Sequence, residues 1–100
     1  MVNTRRYHPA VADDLAAATT YYDEISLDLG NRFRKAVRER IQRIAERPES
    51  FGRIHEQLRA AMVERFPYVI VFEYDSKTVA ILGVLHASSD RGRWFERRRQ

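Results

Sequence analysis

His86 ends an apolar run, Val79-Ala80-Ile81-Leu82-Gly83-Val84-Leu85, and leads into Ala87-Ser88-Ser89-Asp90-Arg91. An imidazole titrates near neutral pH, so here it can act as a general base, a phosphate contact or a stacking partner for a nucleobase. The plainer reading is a half-exposed polar residue at a strand end. Glu64 and Arg65 could supply a carboxylate base and a cation for the transition state of phosphodiester cleavage; a surface ion pair is the commoner use of such neighbours. The C-terminal run Arg91-Gly92-Arg93-Trp94-Phe95-Glu96-Arg97-Arg98-Arg99 interleaves large aromatics with arginine. Such a segment is either a plug docked on the fold or an exposed recognition surface for nucleic acid or protein. No glycine-rich phosphate loop occurs, and His8, His55 and His86 fall in separate elements, against a metal centre built by local spacing. Cysteine is absent, which excludes disulfides and thiolate chemistry. Neither metal nor cofactor is expected.

Charge is unevenly distributed. Residues 1–90 carry 13 basic and 13 acidic side chains, whereas 91–100 carry five Arg and one Glu, so the last ten residues equal the whole net charge of +4. A second excess lies in 27–47, where Arg32, Arg34, Lys35, Arg38, Arg40, Arg43 and Arg47 face Asp28, Glu39 and Glu46. Arginine, with its bidentate fork, supplies 16 of the 18 cations. An acidic partner is the natural inference, with a solvated outer helix face as the alternative.

The elements that must position these groups follow from periodicity. Residues 2–7 form a short β-compatible run that ends at His8-Pro9, and proline there can open a helix. Val11, Leu15, Ala18, Tyr22 and Ile25 then recur at helical spacing; Tyr22 falls on the apolar stripe and Tyr21 at its edge. Ser26–Gly30 interrupts the pattern, and Leu29, Phe33, Val37, Ile41 and Ile44 mark a second helix that Pro48 stops. Beyond it, 58–66, 68–74 and 78–86 read as three strands, the last two joined by the short Asp75-Ser76-Lys77 turn. The expected fold is α+β: a helical hairpin on an antiparallel sheet, order β-α-α-β-β-β, with an Arg-rich C-terminal segment. With 100 residues, one domain spanning 1–100 is expected. No apolar run is long enough for a membrane span and the N-terminus lacks a signal-peptide core, so a cytoplasmic protein is expected.

Taken together, Ala12-Asp13-Asp14-Leu15 and Tyr21-Tyr22, Arg32-Phe33, Arg65-Phe66-Pro67-Tyr68-Val69-Ile70-Val71-Phe72, and Val84-Leu85-His86-Ala87 with Arg91 and Trp94 resemble the RelE/ParE toxins of bacterial type II toxin-antitoxin modules. The resemblance implies a growth-inhibiting, plasmid-stabilising toxin held in a hetero-oligomer by a cognate antitoxin, acidic and partly disordered. Family members follow two mechanisms, ribosome-dependent mRNA cleavage in RelE-like toxins and poisoning of DNA gyrase in ParE-like ones. RelE-like nucleases resemble one another in carrying cations on the first hairpin strand and an Arg after the aromatic that opens the next strand. At those places this chain has Ala60, Met62 and Val69. Ser88-Ser89 stands where the family often has Arg-Arg, and Trp94 about where a Tyr is expected. The resemblance therefore favours gyrase binding. Whichever target is right, the C-terminal cluster of arginine and aromatics is expected to carry the contact, with His86, Arg91, Arg93, Trp94 and Arg97 as target contacts, and Tyr21, Phe33, Arg34 and Arg38, chosen from helix faces, as antitoxin contacts. The alternatives are an mRNA interferase on ribosomes, the one case in which the protein is an enzyme, with His86, Arg65, Glu64 and Arg91 as candidate catalytic residues, and a non-toxic antitoxin-binding module.

Overall fold

The computed structural model describes residues 4–98. Strand β1 (Thr4–Tyr7) leads into helices α1 (Ala10–Ile25) and α2 (Leu27–Glu46); a 3-10 turn at Pro48–Ser50 precedes β2 (Arg53–His55), β3 (Leu58–Met62), β4 (Tyr68–Tyr74) and β5 (Thr78–His86), and a short helix, α3 (Arg91–Glu96), follows. The first two residues of the expected N-terminal strand, Val2 and Asn3, lie outside the described residues.

Local chemistry sets the boundaries. At the start of α1, Pro9 adopts helical φ and the Ala10 N–H donates to Nδ1 of His8 at 3.0 Å. Ser26 is extended, which breaks the helix, and its hydroxyl accepts from the Leu29 N–H at 3.0 Å, capping α2. The two helices approach closely at Gly30, where a Cβ would overlap the Asp23 carboxylate. Ile25 belongs to the α1 stripe by spacing, yet at the hairpin tip it is 59% exposed, beside Leu27 at 72%. The stripe runs past the edge of what it covers.

The sheet has the order β1-β5-β4-β3-β2. The β2–β5 strands pair antiparallel, but β1 lies parallel to β5, from Thr4 opposite Thr78 to Tyr7 opposite Ile81. The sheet is thus mixed rather than wholly antiparallel, since everything between β1 and β5 forms the long crossover that a parallel pair needs. β2 falls in a stretch that the periodicity leaves as loop; three residues carry too little pattern to register. β3 stops at Met62 instead of reaching Phe66, because the left-handed Arg65 (φ 71°) and Pro67 turn the chain. The C-terminal segment is no free tail: Asp90 accepts from the Gly92 N–H at 2.8 Å and starts α3.

Alternation along the strands divides the core. Ala61, Ile70, Phe72, Val79, Ile81 and Val84 face the helical hairpin and meet Val11, Ala18 and Tyr22 of α1 and Phe33, Val37, Ile41 and Ile44 of α2. Leu58, Val69 and Val71 point the other way and pack on Trp94 of α3.

Candidate functional site

At the C-terminal end of β5, His86 is exposed and its ring meets the edge of Tyr68, the residue opposite it in β4, with centroids 5.2 Å apart. Nδ1 of His86 faces the Ser88 N–H at 3.1 Å and the Ser88 hydroxyl at 2.7 Å. Burial pushes the Tyr68 phenol above its ordinary value, so it stays protonated at neutral pH and is no base.

Trp94 resolves the two readings of the C-terminal segment. It is 3% exposed, packs on Leu58, Val69 and Val71, and donates from Nε1 to the Ser89 hydroxyl at 2.8 Å. It is a plug, and its indole is not available to a target. Arg91 and Arg93 remain exposed, Arg91 with its guanidinium 5.4 Å from the centre of the Trp94 ring. Arg97, expected at the target, is instead turned inward: Nη1 and Nη2 donate to the Asp14 carboxylate at 2.8 and 2.9 Å. That hydrogen bond raises its pKa further, beyond what burial takes away. Arg98 pairs with Glu73 and Glu56. Arg99 lies outside the described residues. The basic tail therefore offers a target less charge than its composition suggests.

The four candidate catalytic residues are divided. The Ala87 N–H donates to the Pro67 carbonyl at 2.8 Å, which sets the β3–β4 turn beside the chain that follows His86. Within that turn, however, Phe66 packs into the core beneath the helices, and Glu64 and Arg65 open toward α2. Arg91 lies on the other face, over Trp94. Among the described residues no hydrogen bond or ion pair joins Glu64, Arg65, His86 and Arg91. Ala60 and Val69 belong to the apolar cluster under Trp94, and Met62, opposite Val69, is exposed at its margin. A phosphodiester placed on this face would meet hydrocarbon where cleavage needs charge stabilisation.

On the helical side the candidate contacts separate by burial. Tyr21 is exposed and rests edge-on against Tyr22 with centroids 5.1 Å apart. Phe33 has no exposed surface; it sits between Tyr22, Phe66 and Tyr68, which corrects its assignment to a partner surface. The Arg34 guanidinium is engaged by both oxygens of Asp23, at 3.0 Å for Nη1, and this hydrogen bond raises its pKa. Arg38 is exposed and lines an open groove of about 920 Å³ between α2 and the β3–β4 turn. Arg32, Lys35, Arg43 and Arg65 line it too, with Leu29, Ala36 and Phe66 as apolar floor. Helical spacing along α2 could have grouped Arg32, Lys35, Arg38 and Arg43 on one side; Arg65 had no such signal, since only the turn brings it there.

Residues 5–91 match the family model described as the ParE toxin of the type II toxin-antitoxin system parDE. Among solved structures, the chromosomal ParDE toxin-antitoxin system from P. aeruginosa includes a chain similar in fold, with a TM-score of 0.75 at 21% identity, over 88% of this chain and 98% of that one. No curated protein matches the sequence.

Proposed function

The chain belongs to the ParE toxin family of type II toxin-antitoxin systems, and from that premise we propose that it arrests growth by binding and poisoning DNA gyrase and is neutralised by a cognate antitoxin. One observation carries the choice of target. The sheet face on which RelE-like toxins resemble one another in carrying cations is here hydrocarbon, with Ala60 and Val69 packed under the Trp94 plug. Nuclease chemistry would need a base, an acid and cations converging on one phosphate, whereas Glu64 and Arg65 open toward α2 and Arg91 lies across the sheet. A toxin that works by binding needs only a presented surface. His86, Arg91 and Arg93, all exposed at the end of β5 and on α3, form that surface in this reading.

The antitoxin takes the other side. An acidic segment with apolar anchors suits the groove of Arg32, Lys35, Arg38, Arg43 and Arg65, floored by Leu29, Ala36 and Phe66, and Tyr21 extends the contact along α1. Charge complementarity supports this placement, as Glu39, Glu46 and Glu64 leave the groove net positive.

The test pairs two assays on purified protein. Incubation with gyrase and supercoiled plasmid is expected to block supercoiling and trap cleaved, gyrase-linked DNA, and preincubation with antitoxin abolishes both. Translating ribosomes with a defined mRNA are expected to leave the message intact. Ribosome-dependent cleavage without any effect on gyrase would overturn the proposal in favour of an mRNA interferase, and inactivity in both assays alongside tight antitoxin binding would favour a non-toxic module.

A further inference from the structure

We propose that Asp14 is a positioning residue of the target surface: by clasping Arg97 it fixes α3, and with it Arg91 and Arg93, in the orientation the target meets. The inference rests on the reading of Arg91 and Arg93 as target contacts.

The clasp joins three elements distant in sequence. Asp14 comes from the first turns of α1, Arg97 closes α3, and both reach β5 between them. Arg97 Nη1 donates to the Leu82 carbonyl at 3.0 Å, and the Val84 N–H donates to Asp14 Oδ2 at 3.0 Å. These backbone groups fall where the β4–β5 register shifts, with Val71 opposite Gly83 but Phe72 opposite Ile81, and where β1 has already ended at Tyr7. A bulge leaves ladder groups without a strand partner, and the ion pair satisfies two of them. The side chains of Arg97 and Asp14 are only 15% and 12% exposed, and the bidentate geometry with additional hydrogen bonds sets the pair apart from an ordinary surface contact. Gly83 completes the fit: a Cβ there would lie 2.9 Å from Arg97 Nη1 and 3.4 Å from Asp14 Oδ2.

Helix α3 depends on such anchors. Six residues do not hold a helix by themselves in water, so its orientation is set by what its side chains grip. Trp94 grips the sheet and Arg97 grips Asp14. Arg91 rests on Trp94, and Arg93 opens into a cleft of about 380 Å³ whose other walls include Asp14, Leu85, Glu96 and Arg97. Releasing the clasp therefore loosens the helix that carries both exposed arginines, leaving it held by Trp94 and by the pairing of Arg98 with Glu73 and Glu56. A general role in stabilising α1 does not account for this geometry, because Asp13, exposed in the first turn, complements the helix dipole without reaching the sheet.

The experiment compares Asp14→Asn and Gly83→Ala with an Arg91→Ala/Arg93→Ala double variant in the full chain. Gly83→Ala changes neither partner, yet its new methyl displaces the flexible end of Arg97. Growth arrest on titrated expression, antitoxin affinity, thermal midpoint and emission of Trp94, the sole tryptophan, are read on each. Both clasp variants are expected to stay folded, shift Trp94 emission to the red, bind antitoxin within about threefold of the parent and need roughly tenfold or more toxin for arrest, since apparent affinity falls with the fraction of α3 held in place. The double variant loses toxicity with Trp94 emission unchanged. Clasp variants that lose antitoxin binding and cooperative unfolding as well overturn the inference, the pair then being a general support of the fold. Full toxicity with red-shifted emission overturns it alone if the double variant is non-toxic; a double variant that remains fully toxic instead removes the target-surface reading beneath it.

Discussion

Replacing Trp94 with alanine is expected to cost about 3–4 kcal/mol of folding stability, the lower part of the range for deleting a buried tryptophan. At 3% exposure nearly the whole side chain is out of water. A tryptophan buries roughly 150–250 Å², and at about 25 cal/mol per Å² this gives about 4–6 kcal/mol as an upper value. Two features lower the figure. α3 is short, so it can settle toward Leu58, Val69 and Val71 and shrink the cavity. Ser89, which loses the indole N–H, still donates its hydroxyl to the His86 carbonyl at 2.6 Å. A domain of this size has about 5–15 kcal/mol in all, and each kcal/mol moves the midpoint by about 4–8 °C, so the melting temperature falls by about 12–30 °C. Circular dichroism melts, with urea midpoints at unchanged m, measure it. Trp94→Phe, which keeps a ring but loses the N–H, should cost less than half as much. A loss below about 1 kcal/mol for Trp94→Ala, the size typical of a surface change, would refute the plug and return the indole to the target surface.

Reversing two groove charges, Arg38→Glu with Lys35→Glu, is expected to leave folding stability within about 1 kcal/mol of the parent, since both are exposed, while slowing antitoxin association tenfold or more and weakening its salt dependence; urea midpoints and stopped-flow binding at two ionic strengths check it. Asp75 accepts from the backbone N–H groups of Lys77 and Thr78 at 2.8 and 2.9 Å, which holds its carboxyl below the usual aspartate value of 3.8. A depressed folded pKa stabilises above the unfolded value and is lost as the pH falls through the folded one. Asp75→Ala should thus be less stable than the parent near neutral pH, with the gap closing as the pH drops below about 4, read from urea midpoints across that range.

Much of the fold was legible in the chain order of the residues. The apolar stripes of α1 and α2, the Ser26 break, Pro48 and the hydrophobic runs of β4 and β5 specify a helical hairpin followed by antiparallel strands, because local periodicity and turn chemistry act over a few residues. The RelE/ParE resemblance rested on the same stretches. Three matters were decided elsewhere. β1 could be read as a strand but not as the parallel neighbour of β5, since no local pattern encodes a partner some seventy residues away. α3 looked like a charged tail because six residues carry almost no periodicity; its structure comes from Trp94 meeting a sheet face assembled from three strands. The partition of arginines was equally out of reach. Arg91, Arg93, Arg97 and Arg98 are the same residue type within eight positions, yet two stay exposed while Arg97 finds Asp14, 83 positions away, and Arg98 finds Glu56 and Glu73. Composition counts charges, but whether a charge is free depends on the distances between groups, and those exist only once the chain has folded.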